Sequence, residues 1–135
     1  MRRLVLLAAL ALAVPAQAAT LYDDLGGEPV MRRVVEEATK NFLADKRIAV
    51  TFGETAIPRF KQLLFEQLCN VSGGPCTYTG RDMAKSHTAL KITDAHFSAL
   101  VEDLQDAMDK EKIAFTTQNR LLAILAPMRR DIVTR

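Results

Sequence analysis

Tryptophan is missing from the 135-residue chain, and tyrosine, histidine and cysteine occur only twice each. The two cysteines are not spaced Cys-x-x-Cys, which argues against a thioredoxin-like redox role. No stretch alternates apolar and polar residues in the manner of a half-buried strand, and there are no repeats or low-complexity linkers. Charge of one sign is scarcely in excess, at +2 from 18 Lys+Arg against 16 Asp+Glu. No stripe of Lys and Arg interleaved with aromatics is present, so nucleic acid is a poor partner. A hydrophobic share of 49% with 25% charged residues excludes a disordered or collagen-like chain, and the length suits one compact domain.

A long apolar run occurs at the start, from Leu4 to Val14, behind the positive Met1-Arg2-Arg3. Pro15 breaks it, and Ala16-Gln17-Ala18 supplies small residues at alternate positions. Residues 1–18 therefore read as a secretory signal peptide, with residues 19–135 as the domain it exports to a compartment expected to be the bacterial periplasm. The run is short for a bilayer span, although an uncleaved anchor is the alternative, and no cysteine follows it to make a lipoprotein. Without Arg2 and Arg3 the basic and acidic residues balance, so the basic excess belongs to the address.

The rest reads as an all-α domain. Gly26-Gly27-Glu28-Pro29 opens a helix of about 16 residues, with Pro29 at its first position and Val30, Val34, Ala38 and Phe42 along one face. Ile57, Phe60, Leu64 and Leu68 share a face of a second helix. After the breaker cluster Ser72-Gly73-Gly74-Pro75, Thr93-Asp94 starts a third helix with Phe97, Leu100, Val101, Leu104 and Met108 inward. Thr117 is the expected cap of a fourth, which Pro127 should kink or relax.

The histidines invite a metal reading. His87 and His96 are nine apart with no thiol or carboxylate cluster to complete a zinc set. A haem iron needs only one protein ligand. Met83, His87 and Leu90, at i, i+4 and i+7, put His87 on an apolar face, where it is either such a ligand or an ordinary core or boundary histidine. His96 falls at a helix start. Cys-x-x-Cys-His is absent, so c-type attachment is unsupported. Cys69 and Cys76 bracket the Gly-Gly-Pro turn; in an oxidising compartment they form a natural disulfide, the alternative being two buried thiols.

Leu21-Tyr22-Asp23-Asp24-Leu25-Gly26-Gly27, Leu43-Ala44-Asp45, Phe52, Gly73-Gly74-Pro75, Tyr78-Thr79-Gly80-Arg81-Asp82-Met83-Ala84-Lys85-Ser86-His87 and Leu125-Ala126-Pro127-Met128 occur in that order. Together they resemble a group I truncated haemoglobin from about Leu21 to Val133. The resemblance implies a truncated globin, a two-over-two helical sandwich around haem b, with His87 as the proximal iron ligand. It implies Phe52 packing on the haem face, Met83 and Phe97 in the proximal wall, and Tyr78 near the propionate edge. Phe60, Leu63 and Leu64 face the distal pocket with Thr39, where family members often carry a tyrosine and polar residues. Gln62 and Gln67 fall out of phase with that face. Bound dioxygen carries partial negative charge, so missing donors imply weak retention and easy superoxide loss.

The implied function is reversible binding of dioxygen, nitric oxide or another diatomic ligand, with an unidentified reductant to keep the iron ferrous. Haem-dependent nitric oxide dioxygenation or peroxide reduction is the enzymatic alternative, but no acid–base constellation is evident. A helical interaction module with a vestigial haem site is the third reading. Stable membrane insertion is not expected once the signal is removed.

Overall fold

The computed structural model describes residues 11–14 and 17–135. Residues 1–18, the expected signal peptide, lie largely outside it. Seven α-helices follow in order: α1 Leu21–Asp24, α2 Gly27–Ala44, α3 Ile57–Val71, α4 Met83–His87, α5 Asp94–Lys110, α6 Phe115–Leu125 and α7 Arg129–Ile132. Two 3-10 turns, Ala49–Phe52 and Ala126–Met128, follow α2 and α6. There is no strand among the described residues. The α2–α3 pair lies on the α5–α6 pair, with α2 packed against α5, which is the expected two-over-two arrangement.

Helix α2 is central because its apolar residues recur at helical spacing. Met31, Val34, Val35, Ala38, Thr39 and Phe42 are all buried. Leu68 of α3, Leu104 and Met108 of α5 and Leu121 of α6 close the core from the other helices. Gly26 precedes α2 at φ 104°, where a Cβ would run into the Val30 side chain at 2.5 Å. That turn starts the helix at Gly27, so Pro29 is its third residue, and α2 runs 18 residues rather than about 16.

The third helix begins where its cap predicts. The Thr93 hydroxyl accepts from the His96 amide, and His96 Nδ1 accepts from the Thr93 amide, each at 3.2 Å. His96 is thereby committed to a capping box. Thr117 is not a cap: Lys112 at φ 57° reverses the chain early, and α6 starts at Phe115. Pro127 does relax the helix, into a 3-10 turn before α7. At the other end of the loop after α4, the amides of Thr134 and Arg135 both donate to the Ile92 carbonyl, at 2.9 and 3.2 Å.

A polar seam interrupts the α2–α5 contact. Asn41 Nδ2 donates to the Asp103 carbonyl at 3.1 Å. The Asp103 side chain is buried beside Asp45, and its Oδ2 has no hydrogen-bond partner. Burial pushes the Asp103 carboxyl up to about 6, with Asp45 reinforcing the shift. Hydrogen bonds from the Arg47 side chain and amide pull Asp45 down to about 2. The pair therefore divides into one carboxylate held ionised and one carboxyl held neutral in mild acid.

Candidate functional site

Helix α4 is one turn long, too short to hold itself by internal hydrogen bonds. Asp82 caps it by accepting the Lys85 amide at 2.7 Å. His87 is its last residue and half-buried; Leu90 lies beyond the helix end and is 40% exposed, so the expected three-residue face stops at His87. The His87 Nδ1 lies 2.8 Å from the Met83 carbonyl. With Nδ1–H donating there, Nε2 is the nitrogen free to meet a metal.

The other element that the family resemblance brings to the site is α3. Phe60, Leu63 and Leu64 are half-buried along it. Phe52, at the end of the first 3-10 turn, stacks on buried Phe42 at 5.8 Å and meets Phe60 edge-on at 5.2 Å. Phe42 and Phe60 also meet edge-on, at 6.3 Å, so three aromatic rings fix where the α2–α3 connection sits. The principal packing partner of α3 is α2, and that of α4 is α7. The apolar face of α3 and the His87 helix are thus not each other's main support. Thr39 of α2 is 3% exposed, and its hydroxyl donates to the Val35 carbonyl at 2.7 Å. That donor is spent within its own helix.

The loop between α3 and α4 is fastened to α3 at several points. Buried Glu66 accepts from the Thr79 hydroxyl at 2.6 Å and from the Thr79 amide at 3.2 Å. Those bonds hold its carboxyl below the usual range. Asn70 Nδ2 donates to the Cys76 carbonyl at 3.0 Å. Cys69 and Cys76 stand at disulfide distance, with Cα atoms 5.7 Å apart. Tyr78 turns its hydroxyl into the loop, donating to the Arg81 carbonyl at 2.6 Å, and its ring lies over Gly80, where any Cβ would collide with it. The Tyr-Thr-Gly sequence is therefore one local unit: Thr79 grips α3, and Gly80 makes room for Tyr78.

The expected site residues fall on separate elements. Phe52 and Phe60 share one aromatic cluster, and Met83 and His87 share α4. Phe97 lies on α5, lining an open, largely apolar cavity of about 300 Å³ with Val101, Leu122 and Ala126. Gln62 points outward, accepting from Arg32 at 3.3 Å. Gln67 does not: its amide Nε2 reaches Met83 Sδ at 3.2 Å and Met128 Sδ at 3.7 Å. Although Gln67 is out of phase with the expected distal residues, it stands three residues after Leu64 and seven after Phe60, the spacing of one helix face. Among the described residues no cluster of three His, Cys, Asp or Glu is placed to hold a metal ion.

Residues 20–134 match the family described as bacterial-like globin. The chain is 36% identical over 89 residues to the group 1 truncated hemoglobin of a Nostoc species, covering 66% of this chain and 75% of that one. Its fold is similar to the truncated hemoglobin of Tetrahymena pyriformis in its Fe(III) form, with a TM-score of 0.84 and 26% identity over 87% of this chain and 100% of that one. It is also similar to the 2/2 hemoglobin of a Synechococcus species in the cyanomet state with covalently attached heme. There the TM-score is 0.81 with 28% identity, again over 87% of this chain and 100% of that one.

Proposed function

The chain belongs to the bacterial-like globin family, whose members bind small diatomic ligands through haem, and we propose that it holds b-type haem on His87 and binds dioxygen reversibly in the periplasm. The carrying observation is His87 itself. Its Nδ1 is held by the Met83 carbonyl, which leaves Nε2 for iron, while α3 presents Phe60, Leu63 and Leu64 as an apolar wall. An apolar helix face and one free nitrogen donor are what a porphyrin needs, since it brings its other four nitrogens with it. When bound, that haem supplies the metal that takes the diatomic ligand.

The chain's own residues set how well the ligand is kept. Thr39 has given its hydroxyl hydrogen to Val35, and Phe60, Leu63 and Leu64 have none to give. A ligand on the distal side therefore gains no hydrogen bond from these positions, which favours exchange over storage. With no donor at Thr39, Phe60, Leu63 or Leu64 to retain the ligand, a haem held on His87 would need a reductant from outside the chain to remain ferrous. The periplasmic location rests on residues 1–18. A closed Cys69–Cys76 disulfide suits that compartment and adds a covalent tie to a loop that Glu66 and Asn70 already hold. Among the described residues no helix is long and apolar enough to cross a membrane.

Haem reconstitution of the exported domain tests the reading. The parent protein and His96→Ala should both show a sharp Soret band, whereas His87→Ala should lose it. His96→Ala should cost only the cap, about 1 kcal/mol of stability. Loss of the band with His96→Ala but not with His87→Ala would reverse the ligand assignment.

A further inference from the structure

Met83 does two things at once. Its carbonyl holds His87 Nδ1 at 2.8 Å, and its thioether accepts the Gln67 amide at 3.2 Å. Gln67 belongs to α3, and the same amide reaches Met128 in the turn after α6. Three elements therefore meet at the Gln67 amide, one of them through the residue that orients the histidine. An N–H to thioether contact is weak, so its value here is geometric rather than energetic. Geometry is what α4 lacks: a five-residue helix has almost no internal hydrogen bonding to fix its own position.

We propose that Gln67 is a positioning residue for His87, holding Met83 from α3 and so setting the strength of the His87 Nδ1–H to carbonyl hydrogen bond. That bond raises the basicity of the ring as a metal ligand. Distal donors are missing at Thr39 and Leu64, so in this chain the polar control of the site sits behind the histidine. The inference rests on the haem reading. It predicts that removing the amide weakens the bond from His87 to iron without removing His87.

The test uses ferrous, haem-loaded protein and two readouts, the iron–histidine stretching band by resonance Raman and the rate of haem transfer to a scavenger apoglobin. Gln67→Met keeps the side-chain length and loses the N–H. It should move the band to lower frequency and speed haem transfer about tenfold, the low end for loss of an outer-shell partner. Gln67→Asn, which keeps an amide too short to reach, should do the same and serves if the methionine variant folds poorly. Gln62→Leu, altered on the outward face, should match the parent. Met83→Leu should reproduce the shift, and adding Gln67→Met to it should change nothing further. An unchanged band and transfer rate in Gln67→Met and Gln67→Asn, or additive effects in the double variant, would overturn the inference alone. A parent protein without a Soret band would overturn the haem reading and this inference with it.

Discussion

Asp103→Asn removes a charge from the α2–α5 seam while keeping the shape of the side chain. The carboxyl is 7% exposed, its Oδ2 has no partner, and it titrates at about 6 against an ordinary 3.8. The charged groups facing it are Asp45 and Arg47 from the end of α2 and the loop after it, and Asp106 from its own helix. Two of those three are acids, and Arg47 is already bound to Asp45 and Glu102. A raised folded pKa means that the native state binds more protons, so this contribution is complete below about 3.8 and is lost as pH rises through about 6. Roughly two pKa units at 1.36 kcal/mol each put the penalty of ionised Asp103 near 3 kcal/mol. Desolvating the replacement amide returns part of that, leaving a gain of about 2 kcal/mol for Asp103→Asn at pH 8, or about 8 °C in melting temperature for a domain of this size. At a pH of roughly 3, below the unfolded value, the carboxyl is neutral in both states and the gain should vanish, leaving the variant no more stable than the parent. Urea denaturation followed by circular dichroism at both pH values measures the difference. An equal effect at the two pH values, or a variant less stable than the parent at the higher one, would refute the reasoning.

Three further outcomes follow from the site. Leu64→Gln, which restores a distal donor, should slow dioxygen dissociation about tenfold, the worth of one hydrogen bond of about 1–1.5 kcal/mol; an unchanged stopped-flow rate would count against the apolar distal wall. Thiol alkylation and mass measurement should find Cys69 and Cys76 protected until a reductant is added. The double serine variant should lose about 2–3 kcal/mol, as expected for a loop this short. Glu66→Ala should lower the melting temperature at neutral pH by freeing the Thr79 loop. Because Thr79 lowers the Glu66 pKa, that contribution exists above the unfolded value and fades as pH falls through the folded one, so the gap between variant and parent should narrow in acid. Melts of both proteins at roughly pH 7 and pH 3 check the sign.

Much of this architecture is legible because local chemistry and long-range packing agree. Thr93 ahead of Asp94 and His96 specifies a capping box, and the helix starts there. Gly26 before an apolar period of four specifies α2 to within two residues. Thr117 shows the limit: a good capping residue is passed over because the chain reverses at Lys112 and α6 has already started at Phe115. Gln67 and Asp103 show another. Each polar side chain sits on an apolar stripe, Gln67 after Phe60 and Leu64, and Asp103 between Ala99 and Ala107. Hydrophobic periodicity names the buried face but carries no record of which polar residue shares it. The partners that make such a position tolerable, Met83 for one and Asp45 for the other, come from elsewhere in the chain.

The fastenings of the loop before His87 have a kinetic meaning. Glu66 and Thr79 are 13 positions apart, and Asn70 and Cys76 only six, whereas Asn41 and Asp103 join across 62. Short-range contacts close at small entropic cost and form early, while long-range ones wait for collapse. The loop before His87 is therefore expected to organise ahead of the seam that joins α2 and α5, whereas α4 itself waits for α7. A substitution in that seam should alter the late phase of refolding while leaving the loop before His87 as it is.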